Sequence, residues 1–139
     1  MTDDELIEGF EGARLEAFHH ADHVRVAWIY LQRLGLHRAL EAVSEGLKRL
    51  AATHGHEAKY HATVSWLYVF VIHERMAAAE GADDWDDFAA RNPDLLGGWG
   101  SFVARYYSPR SLSSALARRE FVLPDRAPRS GHARDGATS

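Results

Sequence analysis

The stretch V-S-W-L-Y-V-F-V-I, residues 64 to 72, decides the fold of this chain. Drawn as a helix of about 3.6 residues per turn, it is apolar nearly all the way round. A helix of this kind needs protein on every side, and the run is far too short to cross a bilayer. We therefore predict that residues 58–79 form the central helix of a bundle.

Apolar residues also recur with helical spacing before this stretch, and no segment alternates as a half-buried strand does. A first long helix is predicted from Phe18 to Leu34, with Gly35 ending it. A second is predicted from residue 36 to the His-Gly-His sequence at residues 54–56. Its apolar stripe consists of Leu36, Leu40, Val43, Leu47 and Leu50.

Shorter helices are predicted toward both ends of the chain. Thr2 and Glu5 fit a capping box that opens a helix of about ten residues. Asp83 is the predicted N-cap of a short helix that ends before Asn92, and Ser108 is the N-cap of another that starts with a proline. The other predicted segments are a helical stretch over 102–107, a single helix from 109 to about 119, and an extended segment over 121–125.

These elements predict an all-α fold: a compact single-domain helical bundle of three long helices plus short C-terminal helices. A chain of 139 residues suits one domain with one core. We assign residues 1–125 to that domain. Residues 126–139, rich in Arg, Gly, Ser and Ala without periodicity, are predicted to be a disordered tail.

Composition and charge narrow the possible functions. A formal net charge of −4 gives no electrostatic reason to bind nucleic acid or an anionic membrane, so neither is an expected partner. The chain has no cysteine, so a metal site would have to use His, Asp, Glu or water. The acidic N-terminus lacks the basic and apolar regions of a signal peptide, which predicts a cytoplasmic protein.

Histidines are concentrated near two predicted helix beginnings. On the first long helix, at about 100° per residue, His20 and His23 point toward the apolar side and His19 lies at its edge. Short connections make successive helices antiparallel, so the first and third long helices begin at the same end of the bundle. We therefore expect His61 to face His20 and His23. The loop histidines His54 and His56 should arrive at that same end.

The central helix carries polar side chains on two sides. Ser65 and Tyr68 continue the direction of His61 as a narrow polar stripe, and buried polar groups need partners. Thr63 and Glu74 lie nearly opposite that stripe. Polar neighbours are therefore expected on a second side of the helix.

Three imidazoles from two facing helices can hold a divalent transition metal and leave positions open for water or substrate. The predicted ligands are His20, His23 and His61, with Fe, Cu, Zn or Ni all compatible with imidazole. His19 could join this set, and Glu16 or Glu57 would shift the preference toward iron or manganese. The alternative is that these histidines are hydrogen-bonded core residues without a metal.

The sequence resembles a widespread group of small all-helical bacterial proteins. The resemblance rests on F-x-H-x-x-H-V at 18–24, Y-H-x-T at 60–63, and Y-Y-S-P-x-x-L-S-S-x-L-A-R at 106–118 followed by F-V-L-P-D. It spans about residues 7–125. It favours His20 and His23 over His19, and His61 over the loop histidines, and it implies no named activity.

The C-terminal segment supplies candidate catalytic residues. If its short helices fold back over the histidine end, one of its arginines can hold a substrate carboxylate, and we choose Arg118 for this role. Tyr68 of the central helix would then donate a proton. The alternative is a helix that only covers the bundle. We predict a small metal-dependent enzyme, oxidative or hydrolytic, that acts on a small organic molecule, with a homodimer as its candidate assembly. The alternative function is a non-catalytic histidine cluster for metal storage, pH sensing or partner docking.

Overall fold

Three long helices form the centre of the molecule, as the apolar periodicity predicts. A computed structural model of the chain describes residues 1–15, 17–79 and 84–126. Its helices are α1 (Asp3–Glu11), α2 (His20–Leu34), α3 (Leu36–Thr53), α4 (Ala62–Ala78), α5 (Trp85–Arg91), α6 (Pro93–Leu96), α7 (Trp99–Val103), α8 (Pro109–Leu112) and α9 (Ala115–Arg119). Helices α2, α3 and α4 pack against one another. The all-α fold is confirmed for the described residues, which contain no strand.

The ends of the first three helices follow from their local sequences. Thr2 and Glu5 form the predicted capping box, with hydrogen bonds of 2.8 and 3.1 Å between each side chain and the other's backbone N–H. Gly35 alone separates α2 from α3, and its φ of +83° is one that glycine adopts without strain. The long helix α2 begins at His20, two residues later than predicted, because His19 is its N-cap.

The central helix α4 begins later than predicted. Residues Glu57–Lys59 form a separate 3₁₀ turn, so the predicted start at residue 58 is wrong. His61 has an extended backbone and caps α4, because its Nδ1 accepts a hydrogen bond from the N–H of Val64 at 3.3 Å. The delayed start brings the turn at 57–59 over the histidine end of the bundle.

Thr63 joins the central helix to the C-terminal segment, on the second polar side that its position predicts. Its side chain is fully buried. Its one hydroxyl proton is shared between the carbonyls of Ala117 and Glu120, at 2.7 and 2.9 Å, and its oxygen accepts from the N–H of Val122 at 3.2 Å. These contacts fix helix α9 against α4.

The C-terminal helices are shorter than predicted. The single helix expected from 109 to about 119 is two helices, because the hydroxyl of Ser114 accepts from the N–H of Ala117 and starts α9 anew. Helix α7 ends at Val103, so the prediction of helix over 102–107 is wrong beyond that residue. The backbone bends after Val103 through i to i+3 hydrogen bonds at 105 and 106.

Some predictions fall on residues that the structure does not describe. Asp83 and residues 127–139 of the predicted tail lie outside the described residues, and so does Glu16. The N-cap of α5 is Asp84, whose side chain accepts from the N–H of Asp87 at 2.8 Å. In the described part of the chain, no helix is long and apolar enough to cross a membrane.

Candidate functional site

A cavity of about 460 Å³ lies where α2 and α4 begin, with Val43 and Leu47 of α3 in its wall. The cavity is bordered by the turn at 57–59, by Trp99 of α7 and by Arg118 of α9. Its lining residues are His20, His23, Ala27, Val43, Leu47, Ala58, Lys59, His61, Val64, Ser65, Tyr68, Val69, Trp99 and Arg118. We call this space the histidine cavity. Its volume is within the range of about 300–1,000 Å³ that is typical of small-molecule sites.

The histidine cavity brings together all five residues that the sequence singles out for chemistry: His20, His23, His61, Tyr68 and Arg118. The three further candidate ligands are His19, Glu57 and Glu16. His19 is the exposed N-cap of α2, Glu57 lines a neighbouring groove, and Glu16 is outside the described residues. His54 and His56 arrive at the same end but line a second, adjacent cavity of about 340 Å³ that shares His23 and Lys59 with the first.

His20 is tied to the backbone of helix α6. Its Nε2 lies 2.8 Å from the carbonyl oxygen of Leu95, and since a carbonyl only accepts, Nε2 carries the proton. In the neutral imidazole this leaves Nδ1 as an acceptor. The ring meets the Tyr68 ring edge-on, with centroids 5.0 Å apart. His20 therefore holds α6 in place and keeps one nitrogen for other contacts.

His61 uses both of its ring nitrogens. Its Nδ1 accepts from the N–H of Val64, so Nε2 carries the proton that it donates to the carbonyl of Leu112 at 2.8 Å. The imidazole thus caps α4 and fastens helix α8 to it. As the structure stands, His61 has no lone pair left for a metal.

His23 is the histidine most available to a bound molecule. His23 is exposed at the cavity, but its ring centroid lies 4.4 Å from that of Phe18, so part of the imidazole is shielded from water. This desolvation lowers the pKa of His23 to about 4, aided by repulsion from His20 and opposed by Asp22. No hydrogen bond joins its ring to another described residue. At neutral pH it is an uncharged imidazole facing the cavity.

Tyr68 has a buried hydroxyl without a hydrogen-bond partner among the described residues. Its ring lies between His20 and Phe102, each with its centroid 5.0 Å away, and the residue is 8% exposed. Burial, and next the charge of Asp94, raise the pKa of Tyr68 well above its usual range, so the phenol keeps its proton. An unpaired buried hydroxyl costs about 1–3 kcal/mol, which makes Tyr68 a donor that a partner would stabilise.

The arrangement does not fit the predicted three-histidine metal site. The described residues contain no group of three or more His, Asp or Glu side chains placed to hold one ion. The ring centroids of His20 and His23 are 6.4 Å apart, and His61 is engaged on both sides. Binding of Fe, Cu, Zn or Ni by these three residues would require the His61 ring to leave its two hydrogen bonds, and it stays a prediction.

The sequence reasoning missed two residues at the mouth of the cavity. Lys59 stands on the 3₁₀ turn, and Trp99 is 51% exposed at the edge of the opening. Neither belongs to a recognisable pattern, although Lys59 directly precedes the Y-H-x-T motif at 60–63. Residues 57–59 border the cavity because α4 begins only at Ala62, which leaves them as a separate turn.

Comparisons of the chain with protein-family models, with curated proteins and with solved structures found no match. The resemblance to small helical bacterial proteins therefore stays a prediction. The case for function rests on the geometry of the histidine cavity.

Proposed function

We propose that this protein binds a small organic molecule in the histidine cavity, with His23 as a polar contact in the cavity wall. The observation that carries the proposal is the His23 imidazole, which lines a largely apolar cavity of about 460 Å³ and makes no ring hydrogen bond to another described residue. Small-molecule sites combine apolar walls with a few polar groups that fix orientation. His20 and His61 support the walls through backbone carbonyls, so His23 is free to act on an occupant.

The low pKa of His23 favours recognition over proton transfer. A general base works best when its pKa is near the operating pH, and a pKa of about 4 lies roughly three units below neutrality. His23 is then a weak base but a constant hydrogen-bond acceptor or donor at its two nitrogens. This argues for a ligand held by imidazole rather than for histidine-driven acid–base catalysis.

The proposal is tested by blocking the mouth of the cavity. Ala58 is exposed on the 3₁₀ turn and lines the opening, so Ala58→Trp should fill the entrance without disturbing the core. A library of small organic molecules is screened by thermal shift and by NMR of the His23 ring. Hits should bind the wild-type protein and the matched control Ala52→Trp, and lose at least tenfold in affinity for Ala58→Trp. Hits that bind all three proteins equally would contradict the proposal.

A metal-dependent enzyme is the second candidate. It is supported by two imidazoles one helical turn apart on one wall, of which His23 is uncharged, as a metal ligand must be. A third ligand would have to come from a rearranged His61 or from the bound molecule. Metal analysis of untagged protein tests it: stoichiometric metal lost in both His23→Ala and His61→Ala would support the three-histidine site, and metal content unchanged by either would remove it.

A further inference from the structure

Resting on the proposed function, we infer that the occupant is a small amphipathic carboxylate. Its apolar body would lie inside the histidine cavity, and its carboxylate would lie at the mouth between Arg118 and Lys59. This fixes both the chemical class of the ligand and its direction in the cavity. Lys59 has this role only because the turn at 57–59 borders the opening.

The charges around the cavity have one sign. Arg118 and Lys59 are both exposed at the mouth, and no Asp or Glu is among the lining residues. The ion pairs between described residues use Arg25, Arg33, Arg75 and Arg105 instead. Glu57 lines a neighbouring groove that Arg118 also borders, but no ion pair joins these two residues. In a chain with a net charge of −4, two cations at one opening that form no ion pair with a described carboxylate favour an anionic ligand.

Arg118 is held in place for such a contact. One terminal nitrogen of its guanidinium donates to the carbonyl oxygen of Ala58 at 3.0 Å, which fixes the side chain across the turn that carries Lys59. A guanidinium has five N–H donors, so this bond leaves several for a carboxylate. A planar fork of donors matches a carboxylate in a bidentate way, and the neighbouring ammonium adds a second positive charge.

The interior selects an apolar body. The walls behind the two cations include the apolar side chains of Ala27, Val43, Leu47, Val64 and Val69, and apolar surface predominates over the polar groups of the histidines, Ser65 and Tyr68. Burial of apolar surface is favourable in proportion to its area, whereas a second charged group would lose its hydration there. Trp99, half exposed at the opening, extends the apolar surface toward the mouth. A molecule with one anionic end matches this division better than one that is charged throughout.

The test compares ligands that differ only in the head group. Octanoate, octanol, octylamine and octyl phosphate are titrated into the full chain by calorimetry, with 4-phenylbutyrate and 4-phenylbutanol as a second pair. We expect each carboxylate to bind at least tenfold tighter than its alcohol, and octylamine to bind weakest. Arg118→Gln should reduce the carboxylate-to-alcohol ratio to near one. Arg119→Gln removes the same charge from the next residue, which does not line the cavity, and should leave the ratio unchanged.

The carboxylate-to-alcohol ratio of affinities distinguishes recognition of the carboxylate by Arg118 from support of the turn at 57–59 by the same side chain. Loss of the Arg118 bond to Ala58 would weaken acid and alcohol alike, whereas loss of a carboxylate contact changes their ratio. Arg118→Lys keeps the charge without the fork and should fall between the wild type and Arg118→Gln.

Three results would overturn the inference. Alcohols that bind as tightly as carboxylates would remove the anionic ligand and leave the proposed small-molecule site standing. Octyl phosphate at least tenfold tighter than octanoate would replace the carboxylate with a phosphate. Failure of every probe to bind the wild type would also overturn the inference, and the separate Ala58→Trp screen then decides whether the proposed function survives.

Discussion

Removal of the Thr63 hydroxyl tests how the C-terminal segment is fixed beside the cavity. Thr63→Val keeps the shape of the side chain but removes the donated bond that the carbonyls of Ala117 and Glu120 share, and the bond accepted from the N–H of Val122. Each bond contributes about 1 kcal/mol net, and the backbone groups left unpaired add to the loss. We therefore expect the free energy of unfolding to fall by about 2–4 kcal/mol.

The measurement is urea denaturation followed by circular dichroism, with hydrogen exchange of residues 115–122 as a local readout. Thr53→Val is the matched control, because the exposed Thr53 hydroxyl bonds only to the carbonyl of Arg49 within its own helix. We expect that control to stay within about 0.5 kcal/mol of the wild type. Thr63→Ser keeps the hydroxyl and should restore protection of 115–122.

A functional consequence follows from the position of Arg118 in α9. When α9 loosens from α4, Arg118 no longer stays at the mouth, so Thr63→Val should also lower the preference for carboxylates over alcohols. A Thr63→Val protein as stable as the wild type, with unchanged protection of 115–122, would refute the reasoning. It would mean that other contacts hold the segment.

The remaining predictions concern the histidines and the α1–α3 contact. His61→Ala should lower the free energy of unfolding by about 1–3 kcal/mol, since it removes a helix cap and the bond to Leu112; stability within 0.5 kcal/mol of the wild type would contradict this. NMR should show a pKa of about 4 for His23. The free energy of unfolding should be highest above about pH 6.5 and fall between there and pH 4, because the unfolded chain binds the proton at the higher pH. His23→Asn should flatten that slope. Gly46→Ala should lower the free energy of unfolding, measured by thermal unfolding, by about 1–3 kcal/mol, because the new Cβ would overlap the Phe10 ring. Alanine has the higher helix propensity, so a gain in stability would show that the Phe10 ring moves aside.

Much of the fold could be predicted because the residues that start, end and orient a helix lie within the helix or next to it. Gly35, the Thr2–Glu5 capping box and the apolar stripe of α3 each act within a few residues, and the structure has them where the sequence indicates. Helix boundaries failed where a distant or competing group decided them. Ser114 starts a new helix at Ala115, and that helix is then fixed by Thr63 from another part of the chain.

The candidate site was predictable as a neighbourhood but not as a set of contacts. Helical periodicity and short loops bring His20, His23 and His61 to one end of the bundle, and these are local properties of the chain. Periodicity carries no information about the carbonyls of Leu95 and Leu112, which engage two of these histidines from far along the chain.

The sequence by itself determined that the chain is helical, which helix is central, and that histidines meet where two helices begin. The tertiary structure alone decided what those histidines do: two secure short C-terminal helices and His23 faces the cavity. It also brought Lys59 and Arg118 to one opening. The physical reason is that helix propensity and amphipathicity act over a few residues, whereas the partner of a buried polar group is set by which distant backbone packs against it.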